Sequence, residues 1–145
     1  MLKFDIQFDD KEMLKDIRKQ KKRTVTVGFF DERYPDGKRV GRIATIQEYG
    51  VPEKNIPARP FMRYTEQKNK RKWFEFVRDI LPQNMDLEKT MSFLGDVIAE
   101  DVRDSIIAWD TPPNRPSTIA KKGFDDPLVD TGRMRDSVGW KVGRW

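Results

Sequence analysis

The 145-residue chain contains no cysteine and no histidine, and these two absences remove much of the usual chemistry of protein sites. Without cysteine, disulfides and thiolate metal sites are excluded. Without histidine, the chain lacks the commonest general base, the commonest metal ligand, and the base of the Ser–His and Cys–His nucleophile pairs. We expect the chain to be made and used in a reducing cytoplasm, or to join something assembled there.

Long apolar runs are also missing, since none approaches the roughly 20 residues that a membrane-spanning helix needs. Residues 1–5 alternate in polarity and do not resemble the apolar core of a signal peptide. The chain is instead rich in charge, with 37% charged residues and a net charge of +5. This excess fits contact with nucleic acid or with an acidic protein surface, and it also fits ordinary solubility.

The N-terminal third predicts a strand, a helix and a second strand. Residues 2–8 alternate between apolar and polar side chains, as in a half-buried strand. Residues 9–20 predict a helix that ends in a basic run, and residues 24–30 are β-branched and aromatic. This order fits either a βαβ unit or two antiparallel strands with a helix laid across them.

A helix–loop–helix elbow follows a charged loop at residues 31–39. A short helix is predicted over residues 40–49, with Ile43, Ala44, Ile46 and Gln47 on its inner side and Gly50 as its cap. Three prolines stiffen the next loop. A second helix is predicted over residues 65–81, ended by Pro82. Its apolar face combines Trp73, Phe74, Val77, Ile80 and Leu81.

The clearest periodic segment is residues 86–108, which predicts a long helix capped by Asp86. Its apolar stripe comprises Leu87, Met91, Leu94, Ile98, Val102 and Ile106, widened by Val97 and Ile107. A proline-rich arm over residues 109–127, with a helical turn at 117–122, and a strand at 138–142 complete the pattern. These elements predict one α+β domain, with a small, mostly antiparallel sheet packed on the long helix and extended proline-rich loops at 51–60 and 109–127.

Acidic side chains do not form a convincing catalytic or metal site. Asp125, Asp126 and Asp130 lie close together in the sequence, but they lack the spacing of a known metal loop. The serines have no evident base, and the glycines are not clustered into a phosphate loop. We therefore predict no catalytic residue, no metal ligand and no cofactor, and a hydrolase that uses carboxylates is the weakest of the alternatives.

Nucleic-acid binding is the more serious alternative. Basic residues interleave with aromatic ones at Arg71-Lys72-Trp73-Phe74, as in a stacking platform, although burial in the core explains the two rings better. No helix-turn-helix, zinc-finger or RNP signature is present. The candidate DNA-facing residues are Lys21, Lys22, Arg23, Lys70, Arg71 and Lys72.

Two motif blocks resemble a known family. The first is I-A-x-I-x-E-Y-G followed by I-P-A-R-P-F-M-R, and the second is S-T-I-A-K-K-G followed by P-L-V-D-T-G-R-M-R-D-S. In this order they resemble neck, head–tail joining or tail-completion proteins of tailed bacteriophages. The resemblance covers the chain from about Val40 onward. It implies an α+β fold and a ring-forming, often hexameric, structural protein of the virion, assembled in the host cytoplasm.

The resemblance also implies partners. These are further copies of the chain, the neighbouring connector or adaptor and tail-tube proteins, and genomic DNA that passes through the ring without sequence-specific contacts. Rigid loops and exposed apolar anchors would make such contacts, and the predicted interface residues are Tyr49, Ile56, Arg59, Phe61, Arg63, Trp109 and Arg133. A purely internal role stays open for two of them, since Arg59 could bond loop carbonyls and Phe61 could pack in the core.

Overall fold

A computed structural model of the protein describes residues 2–3, 15, 18–20, 22–84 and 86–144. The described residues form an α+β domain, as predicted. Its sheet contains strand β1 (Leu2–Lys3), strand β2 (Arg23–Phe29) and strand β3 (Val138–Arg144) in the order β1-β2-β3. Both pairings are antiparallel, so the βαβ alternative is wrong.

The first strand and first helix of the sequence fall mostly outside the described residues. Strand β1 confirms the start of the predicted first strand, and residues 4–8 lie outside the description. Lys15, Arg18 and Lys19 are helical, in agreement with the predicted first helix. Strand β2 is shifted by one residue from its prediction, and β3 continues two residues beyond it.

Five helices follow β2 in the described chain. They are α1 (Val40–Tyr49), α2 (Phe61–Asn84), α3 (Leu87–Ala108), α4 (Pro116–Lys122) and α5 (Arg133–Asp136). A 3-10 turn, Pro52–Lys54, lies between α1 and α2. The predicted bounds of α1 and α3 are confirmed, and Asp86 caps α3 by accepting a hydrogen bond from the Lys89 N–H at 3.0 Å.

Helix α2 differs from its prediction at both ends. It begins four residues earlier, at Phe61, because its first N–H groups find acceptors on helix α1, as described below. It also runs past Pro82, which the sequence reading took as its end. A proline lacks one N–H donor and crowds the preceding turn, and the helix continues for just two residues after Pro82.

The core lies where α3 packs against β2 and β3 on one side and against α2 on the other. All six residues of the predicted α3 stripe are buried, as are Val25 and Val27 of β2. Two apolar residues predicted to face this core do not: Ile107 is 51% exposed and Phe74 is 39% exposed. Both residues lie beside a buried apolar stripe rather than within it. Each stripe covers a narrower part of its helix than the apolar residues of the sequence predicted.

The inner side of α1 is also different from its prediction. Val40, Ala44 and Glu48 are its buried residues, at a spacing of four, while Ile43 is only partly buried. Periodicity alone assigned the apolar positions, because a carboxylate is rarely fully buried unless it is paired. The buried Glu48 is therefore a feature that requires a partner, and its partners organise the elbow.

Gly95 provides a test of the contact between α3 and the sheet. A Cβ atom at this position would lie 2.5 Å from Cδ2 of Trp140. The indole cannot easily withdraw, because its Nε1 donates to Asp96 Oδ1 at 2.7 Å. We predict that Gly95→Ala lowers the free energy of unfolding by about 1–2 kcal/mol, despite the better helix propensity of alanine. Urea denaturation measures this loss, and Gly143→Ala, whose Cβ would meet nothing within 4 Å, is the control.

Candidate interaction surface at the start of helix α2

The Glu48 carboxylate joins the end of α1 to the start of α2. Its Oε2 accepts from the Met62 N–H at 2.9 Å, and its Oε1 accepts from the Arg63 N–H at 3.2 Å. Arg63 then closes the arrangement, donating from Nε to Oε1 at 2.9 Å and from Nη2 to the Glu48 carbonyl at 3.1 Å. A negative group at the positive end of a helix is favourable, so Glu48 caps α2 from a distance of 14 residues.

Gly50 lets the chain turn away from α1. Its φ is 71°, and its N–H donates to the Ile46 carbonyl at 2.8 Å, which confirms the predicted cap. A Cβ here would lie 2.7 Å from both Ala58 N and Ile56 O. The loop folds back on itself through a bridge between Val51 and Ile56. The proline loop is therefore packed against the end of α1 rather than extended as a free arm.

Arg59 is buried and clamps the two proline-rich loops together. Its Nε donates to the Pro112 carbonyl at 3.1 Å, its Nη2 to the Pro113 carbonyl at 3.2 Å, and its Nη1 to Gln47 Oε1 at 2.9 Å. Burial lowers the pKa of the guanidinium, and the Asp125 carboxylate opposes that shift. The Arg59 side chain therefore serves an internal role, as the alternative interpretation held.

Phe61 is also internal. The residue is 0% exposed, and its ring meets Phe29 edge-on with centroids 6.3 Å apart. The prediction of Phe61 as an exposed interface anchor is wrong, because the first turn of α2 faces the core between α1 and β2. Ile56, another predicted anchor, is partly buried in the folded loop.

Three predicted interface residues take part in two separate ring contacts near the start of α2: Arg63 lies over Tyr49, and Trp109 meets Tyr64. We call the surface formed by Tyr49, Arg63, Tyr64, Lys68 and Trp109 the aromatic ledge. Arg63 Cζ lies 5.0 Å from the Tyr49 ring centroid, and Lys68 Nζ lies 5.7 Å from that of Tyr64. The ring centroids of Tyr64 and Trp109 are 5.5 Å apart, and the two rings are nearly perpendicular. Tyr49 is 63% exposed and Tyr64 47% exposed, so both rings present apolar area to solvent.

The ledge contains two residues that were missing from the predicted set. Tyr64 directly follows Arg63, the last residue of the first motif block, and Lys68 is one helical turn further on. Once α2 is known to begin at Phe61, their spacing of four places them on one face. The later predicted start of this helix concealed that relation.

Arg133 does not belong to the aromatic ledge, and its contacts are with the loop at residues 31–39. Its Nε donates to the Arg33 carbonyl, and its Nη2 is 3.9 Å from Glu32 Oε2. Gly132, with a φ of 78°, precedes it and starts α5. The D-T-G-R block thus ties the end of the second proline-rich arm to the loop at residues 31–39. Burial and the nearby Asp130 carboxylate raise the pKa of Tyr34 in that same loop.

The predicted DNA-facing residues differ in their exposure and in their ion pairs. Lys21 lies outside the described residues, and Lys22 is exposed. Arg23 forms an ion pair with Glu88 at 2.7 Å, and Lys72 forms one with Asp101 at 2.6 Å. Only Lys70 and Arg71 lie on the outer face of α2. That face also carries the exposed residues Phe74 and Arg78.

Comparisons of the chain with protein-family models, with curated proteins and with solved structures find no match. Among the described residues, no group of acidic side chains is arranged to hold a metal ion. Within the same residues, no helix is both long enough and apolar enough to cross a membrane.

The cap on α2 can be removed by Glu48→Ala. This change leaves two N–H groups without their acceptor and breaks the bond to Arg63, so we predict a loss of about 2–3 kcal/mol in the free energy of unfolding. Urea denaturation measures the loss. Glu53→Ala removes an exposed carboxylate from the neighbouring turn and should change stability by less than about 0.5 kcal/mol. Equal effects of the two changes would contradict the capping role.

The Arg59 clamp can be tested with Arg59→Lys, which keeps the charge but lacks the forked donor geometry. We predict that residues 109–115 lose protection, with amide exchange there at least about tenfold faster, since bonds to Pro112 and Pro113 are lost. Exchange in the centre of α3 should change little. The control is the matched change Arg115→Lys. In the unmodified protein the Arg115 guanidinium bonds the Asn55 carbonyl from an exposed position.

Proposed function

We propose that the chain is a structural subunit of a tailed bacteriophage, a ring-forming neck, head–tail joining or tail-completion protein that links the connector to the tail. The two motif blocks support this proposal by their resemblance to that family. Its partners would be other copies of the chain and the adjoining connector, adaptor and tail-tube proteins. The ring would be hexameric and would belong to the virion, with genomic DNA passing through it.

The observation that carries the proposal is the aromatic ledge. Tyrosine, tryptophan and arginine are the residues that most often supply binding energy at protein interfaces. Here they stand at the start of a helix whose position is fixed by Glu48 and Arg59. A surface held in this way loses little conformational entropy on binding, so it suits an assembly in which many copies must meet in one geometry.

The ledge residues provide the test. We predict that a Tyr49→Ala/Tyr64→Ala variant folds with nearly unchanged stability, since both rings are exposed, but loses at least about 100-fold in affinity for its assembly partner. Light scattering of the protein alone, and of mixtures with connector and tail-tube proteins, measures the assembly. Phe93→Ala removes a ring that is 41% exposed elsewhere on the surface and should assemble normally. Normal assembly of the double tyrosine variant would contradict the proposal for the ledge.

A DNA- or RNA-binding accessory protein is the second candidate, and one observation favours it. Phe74 is exposed on the same face of α2 as Lys70, Arg71 and Arg78, contrary to the expectation that it is buried. Cations around an exposed ring can hold a phosphate backbone and stack a base. A monomer that binds DNA tightly, with an affinity that falls steeply as salt rises, would favour this candidate over the ring subunit.

A further inference from the structure

We propose that the pocket between the start of α2 and the end of α3 binds a guanine base, carried either by a free nucleotide or by a single nucleic-acid strand. The inference goes beyond the proposed assembly role, because it does not require copies of the chain to meet. It rests on two buried polar atoms without a partner, on one free carboxylate and on the aromatic wall of the pocket.

The pocket is formed by one face of each helix. Its volume is about 400 Å³, which is within the usual range for small-molecule sites. Tyr64 and Lys68 line it from α2, and Asp104, Ser105 and Trp109 line it from the end of α3. The Tyr64 and Trp109 rings meet edge-on and form an aromatic corner, against which a flat ring can stack.

Two buried polar atoms on residues of this pocket have no hydrogen-bond partner among the described residues. They are the Ser105 hydroxyl and the Trp109 indole N–H. Buried polar groups in folded proteins are nearly always hydrogen-bonded, so we expect a group from outside the chain to satisfy these two. The two residues are four apart, which places their side chains next to each other. Because an indole N–H can only donate, the missing partner must carry an acceptor such as a carbonyl oxygen.

The same pocket contains a free carboxylate. Asp104 directly precedes Ser105, is exposed, and has no ion pair or hydrogen bond within the described part of the chain. The other two carboxylates of the pocket are engaged by side chains, since Asp101 accepts two hydrogen bonds at 2.6 Å and Asp110 accepts one at 2.9 Å. A ligand that completes the pocket therefore needs N–H donors for Asp104 and an acceptor for the two unpartnered atoms.

Guanine carries this combination on one edge. Its N1–H and N2–H donors match the two oxygens of a carboxylate, and its O6 atom beside them is a carbonyl acceptor. Its flat ring stacks on aromatic side chains. Adenine has an acceptor at N1 where guanine has a donor, so it would place a lone pair against Asp104. Cytosine offers a carboxylate one amino group rather than two adjacent donors.

Cations beside the pocket suit the phosphate of such a ligand. Lys68 lines the pocket, and Arg71 is three residues further along α2, so the two are neighbours on the helix surface. The Arg71 side chain is 92% exposed, and its ion pair is with Glu75 of the same helix. Lys68 is therefore placed for the phosphate of a bound nucleotide, and Arg71 for the next phosphate of a strand.

The test exchanges the base that the pocket prefers. In calorimetric titration, the unmodified protein should bind guanosine monophosphate at least about tenfold more tightly than adenosine monophosphate, as expected of one bidentate pair. Asp104→Asn replaces one carboxylate oxygen with an N–H donor and should weaken the binding of guanosine monophosphate at least about tenfold. The same variant should bind xanthosine monophosphate more tightly than guanosine monophosphate, because xanthine has an oxygen acceptor in place of the N2 amino group. A general disturbance of the fold would weaken both nucleotides.

Matched changes serve as controls. Ser105→Ala removes the unpartnered hydroxyl, so it should weaken the binding of guanosine monophosphate at least about threefold without lowering the free energy of unfolding. Asp79→Asn removes an exposed carboxylate near the end of α2 and should leave nucleotide binding unchanged.

A third comparison separates the two sources of the base. An oligothymidylate that contains one guanosine should bind more tightly than guanosine monophosphate if a strand is the ligand, and Arg71→Gln should then remove the difference. Equal affinities identify the free nucleotide. The guanine site would be overturned by an unmodified protein that does not bind guanosine monophosphate at millimolar concentration, or by an Asp104→Asn variant that still prefers it to xanthosine monophosphate. Either of these results leaves the proposed assembly role in place.

Discussion

The buried carboxylate of Glu48 is the interaction on which the elbow depends. A charged group that is 5% exposed is tolerable only when its hydrogen bonds are made, and here the first N–H groups of α2 and the Arg63 guanidinium make them. The same contact provides acceptors for the first N–H groups of α2, which has no capping side chain at its own N-terminus. It fixes where α2 begins, and hence which residues face outward beside Tyr49.

The second proline-rich arm is attached to this elbow by a different device. Backbone carbonyls at Pro112 and Pro113 point toward a buried guanidinium, and Arg59 satisfies both while also holding Gln47. Burying that cation costs free energy, and its lowered pKa is one expression of the cost. What the arrangement provides is geometry, because two segments about 50 residues apart in sequence are held against one helix end. Trp109, three residues before Pro112, packs edge-on against Tyr64 of α2.

Periodicity predicted the elements well where one face of an element is buried and apolar. Helix α3 is the clearest case, since its stripe, its bounds and its Asp86 cap could all be predicted from spacing. Prediction failed where a polar contact distant in sequence decides the outcome. The early start of α2 depends on a carboxylate of α1, and the burial of Arg59 depends on carbonyls of a loop that follows α3. Neither partner can be paired with its donor by local pattern.

The residues of the candidate site also fall into two groups, those with internal contacts and those exposed to solvent. Within the first motif block, Glu48, Gly50, Arg59 and Phe61 are occupied with internal bonds, backbone turning or core packing. Exposed groups include Tyr49 and Arg63 of the block and Tyr64 directly after it. A motif of this kind therefore specifies the shape of a scaffold more than the chemistry of a partner. The residues that this scaffold presents to solvent include two tyrosines, and one of them lines a pocket together with Trp109, Asp104 and Asp110.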